Sequence, residues 1–202
     1  MNALTSSDFT RADDPFAIFS VWLADAEAKE LNDPNAMCLA TVDASGLPDA
    51  RMVLCKEVRP NGLVFYTNIE SAKGRELEAR PNAAALFHWK SLRRQARFRG
   101  AVEMLDEADA DAYFASRPRF SRLGAWASAQ SRELDSRATL ESRVAAYDEQ
   151  FGEGAIPRPP YWRGYQITPV EIEFWSDGAY RLHDRVRFTR EGTGWARMRL
   201  YP

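Results

Sequence analysis

Short apolar runs broken by tight-turn signals fill the chain between residues 36 and 105, and that rhythm constrains the fold more than any other feature. Residues 37–42, 50–58 and 63–67 read as strands, with Ser45-Gly46 and Asn61-Gly62 as the turns between them. Glycine and asparagine tolerate the positive φ that tight hairpin turns demand. A short helix over 71–80 stops at Pro81, which has no N–H to continue it. Strands resume at 83–89 and 95–105. Two helix-periodic segments follow, 106–116 and 135–151, separated by an Arg- and Ser-rich stretch. Three final strands are expected at 167–175, 179–188 and 195–200. Ahead of them all, 15–30 is an amphipathic helix, with Phe16, Phe19, Trp22 and Leu23 at helical spacing behind Asp13-Asp14-Pro15. The expected class is mainly β with helices (α+β), an antiparallel barrel with helices around it. We expect one domain over 15–202, with a helical insert at about 106–151 and a flexible N-terminal segment at 1–14.

Composition narrows the functions. A net charge of -2 and a pI near 5.8 argue against a general nucleic-acid binder. No apolar run approaches the roughly 18–20 residues of a membrane helix, and the first residues lack the basic-then-apolar order of a signal peptide. No membrane role and a cytoplasmic setting are therefore expected. Cys38 and Cys55 form no C-x-x-C pair and read as buried free thiols. His88 and His183 are the only histidines, so no metal site is expected. Dinucleotide, P-loop and G-x-S-x-G motifs are all missing.

What the chain offers instead is cations placed as if for anions. If 179–188 is a strand, Arg181, His183 and Arg185 share a face at about 6–7 Å intervals. Three such groups sit together most easily around an anion, although a solvated edge strand fits the spacing too. Arg51 and Lys56 bracket the apolar Met52-Val53-Leu54-Cys55, on opposite faces unless a bulge intervenes. Tyr66-Thr67-Asn68 leads into Ser71-Ala72-Lys73-Gly74, where a helix start, hydroxyls and a lysine could seat a phosphate, or Ser71 could simply cap the helix. Gln95 alternates with Arg97 and Arg99. Tyr113 and Arg117, four apart, line one helix face near Ser121, a set suited to a phosphate monoester. Phosphorylated ligands are implied, with the hard chemistry left to a cofactor.

With these motifs in order, the chain resembles the pyridoxamine/pyridoxine 5′-phosphate oxidase family from about residue 15 to 202. The most specific element runs from Ile172 through Trp175-Ser176-Asp177-Gly178 to Arg181-Leu182-His183-Asp184-Arg185, supported by Arg117-Pro118-Arg119 and by Gly124-Ala125-Trp126 through Gln130-Ser131. The resemblance implies a homodimer of split β-barrels with FMN at the subunit interface. It implies that Arg51, Met52, Val53, Leu54 and Lys56 flank the flavin. Tyr66, Thr67 and Lys73 would hold its phosphate end, and Gln95, Gln130, Ser131, Trp175 and Arg185 would complete the cofactor site, some from the partner. Lys56, Tyr113, Arg117 and Ser121 would bind the substrate phosphate. Arg181 and His183 would lie on the pyridine ring as catalytic residues. The implied reaction is oxidation of pyridoxamine or pyridoxine 5′-phosphate by O2, giving pyridoxal 5′-phosphate and hydrogen peroxide. A non-catalytic flavin-binding split barrel, or an oxidase of a different ring, is the alternative. Two departures stand out: Ala72 replaces an arginine common in the family, and the family's Arg-x-x-Tyr segment has no clear counterpart before Asp13.

Overall fold

A computed structural model describes residues 9–202. Asp14 accepts a hydrogen bond from the Phe16 N–H and Pro15 takes the first helical position, so α1 spans Pro15–Lys29. Nine strands follow, every pair antiparallel: β1 Ala36–Val42, β2 Pro48–Leu54, β3 Glu57–Arg59, β4 Gly62–Asn68, β5 Asn82–Trp89, β6 Arg94–Met104, β7 Trp162–Ser176, β8 Asp184–Glu191 and β9 Gly194–Leu200. The helix α2 (Ala72–Ala79) lies between β4 and β5. Between β6 and β7 come α3 (Glu107–Ser116), α4 (Arg119–Ala127) and α5 (Arg137–Phe151).

The sheet runs β2-β1-β5-β6-β7-β4-β3, and β7 is its branch point. One edge of β7 pairs with β6. Its other edge carries β4 along residues 162–167 and β8 along residues 171–176. The switch falls at a bulge, where Arg99 pairs with Glu171 but Gly100 pairs with Pro169, leaving Val170 unmatched. Pro169 has no N–H for a ladder. Gly100 is required there, since a Cβ would sit 2.0 Å from the Thr168 carbonyl oxygen. The fork splits the sheet into two wings, as a split barrel requires.

Aromatic packing closes one side. Phe19 of α1 meets Phe87 and Phe98 at 4.9 and 4.8 Å, and Trp22 meets Phe174 at 5.2 Å. A second apolar cluster, with Phe114, Leu123, Ile156 and Trp162, holds the three inserted helices against β7. Burial of this kind stabilises at roughly 25 cal/mol per Å2.

Five expectations need correcting or refining. Residues 1–8 of the segment expected to be flexible lie outside the described residues, while Phe9 is buried edge-on against Trp22 at 4.9 Å. The Arg- and Ser-rich stretch contains a helix, α4. The strand expected at 50–58 breaks at Cys55 and Lys56, whose N–H groups turn to Asn35 and Val64. Residues 179–181 form a helical turn rather than a strand. Both cysteines are free, but Cys38 is only half-buried; burial pushes the Cys55 thiol up to about 11.

Candidate active site

The interruption at residues 55–56 resets the alternation of β2, and Arg51 and Lys56 come to line one cavity of about 770 Å3. Between them Met52 and Leu54 are exposed along an open strand edge. The same cavity receives Tyr66 and Thr67 from β4, Lys73 from α2, Tyr113 and Arg117 from the end of α3, Ser121 from α4, and Gln130 and Ser131 from the loop beyond it. Chain positions from 51 to 131 therefore converge on one cavity.

Lys73 is buried at the start of α2. Its Nζ donates to Ser71 Oγ at 3.2 Å and Gln130 Oε1 at 3.1 Å, and Ser71 also caps α2 by accepting from the Gly74 N–H at 3.3 Å. Burial, and then the nearby Arg51 charge, hold the Lys73 ammonium below its ordinary 10.5. Arg51 is anchored on its far side. It donates to Glu76 at 2.9 Å, to Asp49 at 2.6 Å and to the Thr41 hydroxyl. Glu76 thus fixes the direction of Arg51, a link that spacing alone did not reveal.

Arg117 is held differently. Its guanidinium lies over the rings of Trp162, at 4.9 Å, and Phe114, at 5.5 Å. Its Nη1 is buried without a hydrogen-bond partner. Burial lowers its pKa from the ordinary value, which marks a charge lacking compensation. Trp162 also stacks on Tyr66 at 5.1 Å, and Tyr66 on Tyr113 at 4.2 Å.

The remaining expected residues form a separate group. Gln95, Trp175 and Arg185 line a smaller cleft of about 240 Å3 with Arg97 and Glu173. Buried Glu173 binds Arg185 at 2.7 Å and Arg97 at 2.5 Å, and Arg185 also donates to the Tyr201 carbonyl at 2.9 Å. His183 packs against Trp175 with ring centroids 4.6 Å apart and planes tilted by 44°. Its Nδ1 accepts from the Gly178 N–H at 3.2 Å, which places the proton of a neutral ring on Nε2. Asp177 lies 3.3 Å from the same Nδ1 and pairs with Arg93 at 2.5 Å.

Arg181 does not share a strand face with His183 and Arg185. Tyr180 and Arg181 both adopt left-handed backbone, φ 56° and 65°, and β8 starts only at Asp184. Gly178 permits the turn, because a Cβ there would lie 2.0 Å from the Leu182 carbonyl oxygen. Arg181 is exposed, and among the described residues it forms no ion pair. The cleft and the large cavity share no lining residue. Arg51 on β2 and Gln95 on β6 are three strand positions apart, roughly 14 Å across the sheet.

The large cavity fits FMN. It has an apolar strand edge for a ring, a cationic end at Lys73 for a phosphate, and amide and hydroxyl donors at Gln130, Ser131 and Thr67. Two outcomes follow. If Lys73 holds the FMN phosphate it must be charged, so raising the pH should weaken FMN before an ordinary lysine would titrate. Proton uptake on binding should accompany that loss, and Lys73→Met should abolish the pH dependence in a flavin titration. Ala72 lines the cavity, whereas Arg75 faces another cleft and donates to the Glu70 carbonyl. Ala72→Arg should therefore tighten FMN up to about tenfold, on the order of 1.4 kcal/mol, by equilibrium dialysis.

Comparison with known proteins places these residues in context. Residues 23–151 match the family model described as pyridoxamine 5′-phosphate oxidase. Residues 162–202 match that of a pyridoxine 5′-phosphate oxidase C-terminal dimerisation region. A pyridoxine/pyridoxamine 5′-phosphate oxidase from Azorhizobium caulinodans is 62% identical, with all of this chain and 96% of the relative covered. One from Caulobacter vibrioides is 60% identical over 94% of this chain and 86% of the relative. Among solved structures, PhzG from Burkholderia lata, in complex with tetrahydrophenazine-1-carboxylic acid, superposes with a TM-score of 0.90 at 30% identity, covering 100% of this chain and 97% of that one. A pyridoxamine 5′-phosphate oxidase-related, FMN-binding protein from Nostoc punctiforme shares the fold at TM-score 0.75 and 18% identity, over 93% and 98% of the two chains.

Proposed function

This chain belongs to the pyridoxamine 5′-phosphate oxidase family, and we infer from that membership how its two groups of residues divide the work. It is an FMN-dependent oxidase of pyridoxamine and pyridoxine 5′-phosphates, forming pyridoxal 5′-phosphate as a homodimer of split barrels. When bound, FMN supplies the two-electron oxidation of the substrate and the subsequent reaction with O2 that releases hydrogen peroxide.

The protein's own residues bind and orient. Lys73, Gln130, Ser131 and Thr67 take the cofactor phosphate end, while Met52, Val53 and Leu54 lie along its ring. Lys56, Tyr113, Arg117 and Ser121 take the substrate phosphate. The single observation that carries this assignment is the buried, unpartnered Arg117 Nη1 in the same cavity as Lys73. An FMN binder without catalysis needs one cationic end, and this cavity has two. His183 donates to the substrate ring through Nε2, and Arg181 positions that ring. Gln95, Trp175 and Arg185 complete the flavin site from the partner subunit. The free thiols fit a cytoplasmic setting, and no described helix is long and apolar enough to cross a membrane.

The test is direct. The purified protein should show flavin absorbance at one FMN per subunit and, given pyridoxamine 5′-phosphate in air, form pyridoxal 5′-phosphate and peroxide together. A colourless protein that also ignores added FMN sinks the cofactor assignment. Bound FMN without turnover returns the non-catalytic reading.

A further inference from the structure

Several arginines around the inserted helices are matched with carboxylates. Arg119 binds Asp148 at 2.5 Å, Arg158 binds Asp111 at 2.6 Å, and Arg163 binds Glu107 at 2.6 Å. Arg117 sits among them and forms no ion pair among the described residues. Its partners are aromatic faces, chiefly Trp162.

The difference matters chemically. A carboxylate would fix the guanidinium but cancel its charge, and an incoming dianion would have to displace it. A ring attracts the cation through its quadrupole and leaves the N–H groups free for an anion. Trp162 is built to serve as that ring. It is buried, its backbone N–H donates to the Pro159 carbonyl at 3.0 Å, and its backbone carbonyl accepts from Arg158 at 2.9 Å. The indole that carries Arg117 also stacks on Tyr66, which stacks on Tyr113. One side chain therefore locates the cation and the tyrosine of the same pocket wall.

We propose that Trp162 is a positioning residue that holds Arg117 as an un-neutralised receptor for a phosphate monoester, and so sets discrimination between phosphorylated and unphosphorylated substrate. The proposal rests on the reading of Arg117 as a ligand of the substrate phosphate. Trp162 then acts on affinity for the phosphate alone. The oxidised carbon lies elsewhere on the substrate and does not depend on it.

Three measurements on FMN-saturated enzyme test this: kinetics with pyridoxine 5′-phosphate, kinetics with pyridoxine, and inhibition by inorganic phosphate. Trp162→Leu should raise KM for the phosphorylated substrate and Ki for phosphate about tenfold each, with kcat within about twofold. Its kcat/KM for unphosphorylated pyridoxine should stay within about twofold, and Trp162→Phe should recover most of the affinity. Because leucine could collapse the stack, fluorinated tryptophans placed at 162 provide a second series of nearly constant shape. KM and Ki should climb stepwise as fluorine withdraws charge from the ring. If fluorination moves neither constant, or leucine harms both substrates equally, Trp162 only packs and the proposal fails. Arg117→Met separates the two layers. If it raises KM and Ki while the Trp162 series does not, only the positioning role is overturned. If Arg117→Met changes neither, the phosphate reading of Arg117 falls, and the proposal with it.

Discussion

Arg181→Ala should cut kcat/KM by ~100-fold or more while leaving FMN affinity within about threefold, the loss expected when a positioned charged contact to substrate disappears. The reason lies in the backbone. Arg181 stands in a left-handed turn beyond the end of β7, exposed and without an ion pair among the described residues. Alanine at φ 65° bears a strain similar to that of arginine, so the substitution removes the guanidinium and little else. Arg185 is in the opposite situation. Glu173 and the Tyr201 carbonyl hold it beside Gln95 and Trp175. Arg185→Ala should weaken FMN retention first, with activity partly restored by excess cofactor. Flavin titration and steady-state kinetics on the two variants separate the roles. Equal loss of FMN in both would show that the division is wrong.

That contrast also shows where the sequence misleads. Alternation in residues 179–188 suggested one strand with three cations on a face. Gly178 and two consecutive left-handed residues break it, and φ cannot be read from Tyr180 and Arg181 themselves. Most strand positions through Trp89 were legible because hairpin turns announce their residues and runs alternate, but the break at Cys55 and Lys56 that separates β2 from β3 was not. The inserted helix α4 was not, because its apolar content is sparse: Leu123 and Ala127, four apart, are its only buried residues. Arg51, Lys56, Lys73 and Arg117 could be picked out as cations, and the structure brings all four to one cavity. Their partners could not. Glu76 and Glu173 look like ordinary polar positions on a helix and a strand, yet each is buried under arginines. Trp162 reads as core, and only the geometry puts Arg117 over it.

Mixing two crippled proteins should restore activity if, as proposed above, neither cluster forms a complete site within one chain. The large cavity lacks Trp175, Arg181, His183 and Arg185. All four fall within residues 162–202, the segment matched by the dimerisation model. In a symmetric dimer, the cavity of one protomer would then be completed by the cluster of its partner. Arg117→Ala damages the cavity, and Arg181→Ala damages the cluster. Each homodimer carries one lesion in every site and should be nearly inactive below KM. In a heterodimer, one site collects both lesions and the other collects none. Random reassortment makes about half the dimers heterodimers, each with one intact site of two, so roughly a quarter of wild-type activity should return. Co-expression with two affinity tags, followed by assay of the doubly tagged species, isolates the heterodimer, whose activity should approach about half of wild type. If both groups act within one chain, every heterodimer site carries one lesion and no activity returns. A doubly tagged dimer as inactive as its parents would therefore refute sharing of the site across the interface, while leaving the assignment of each residue to its ligand in place.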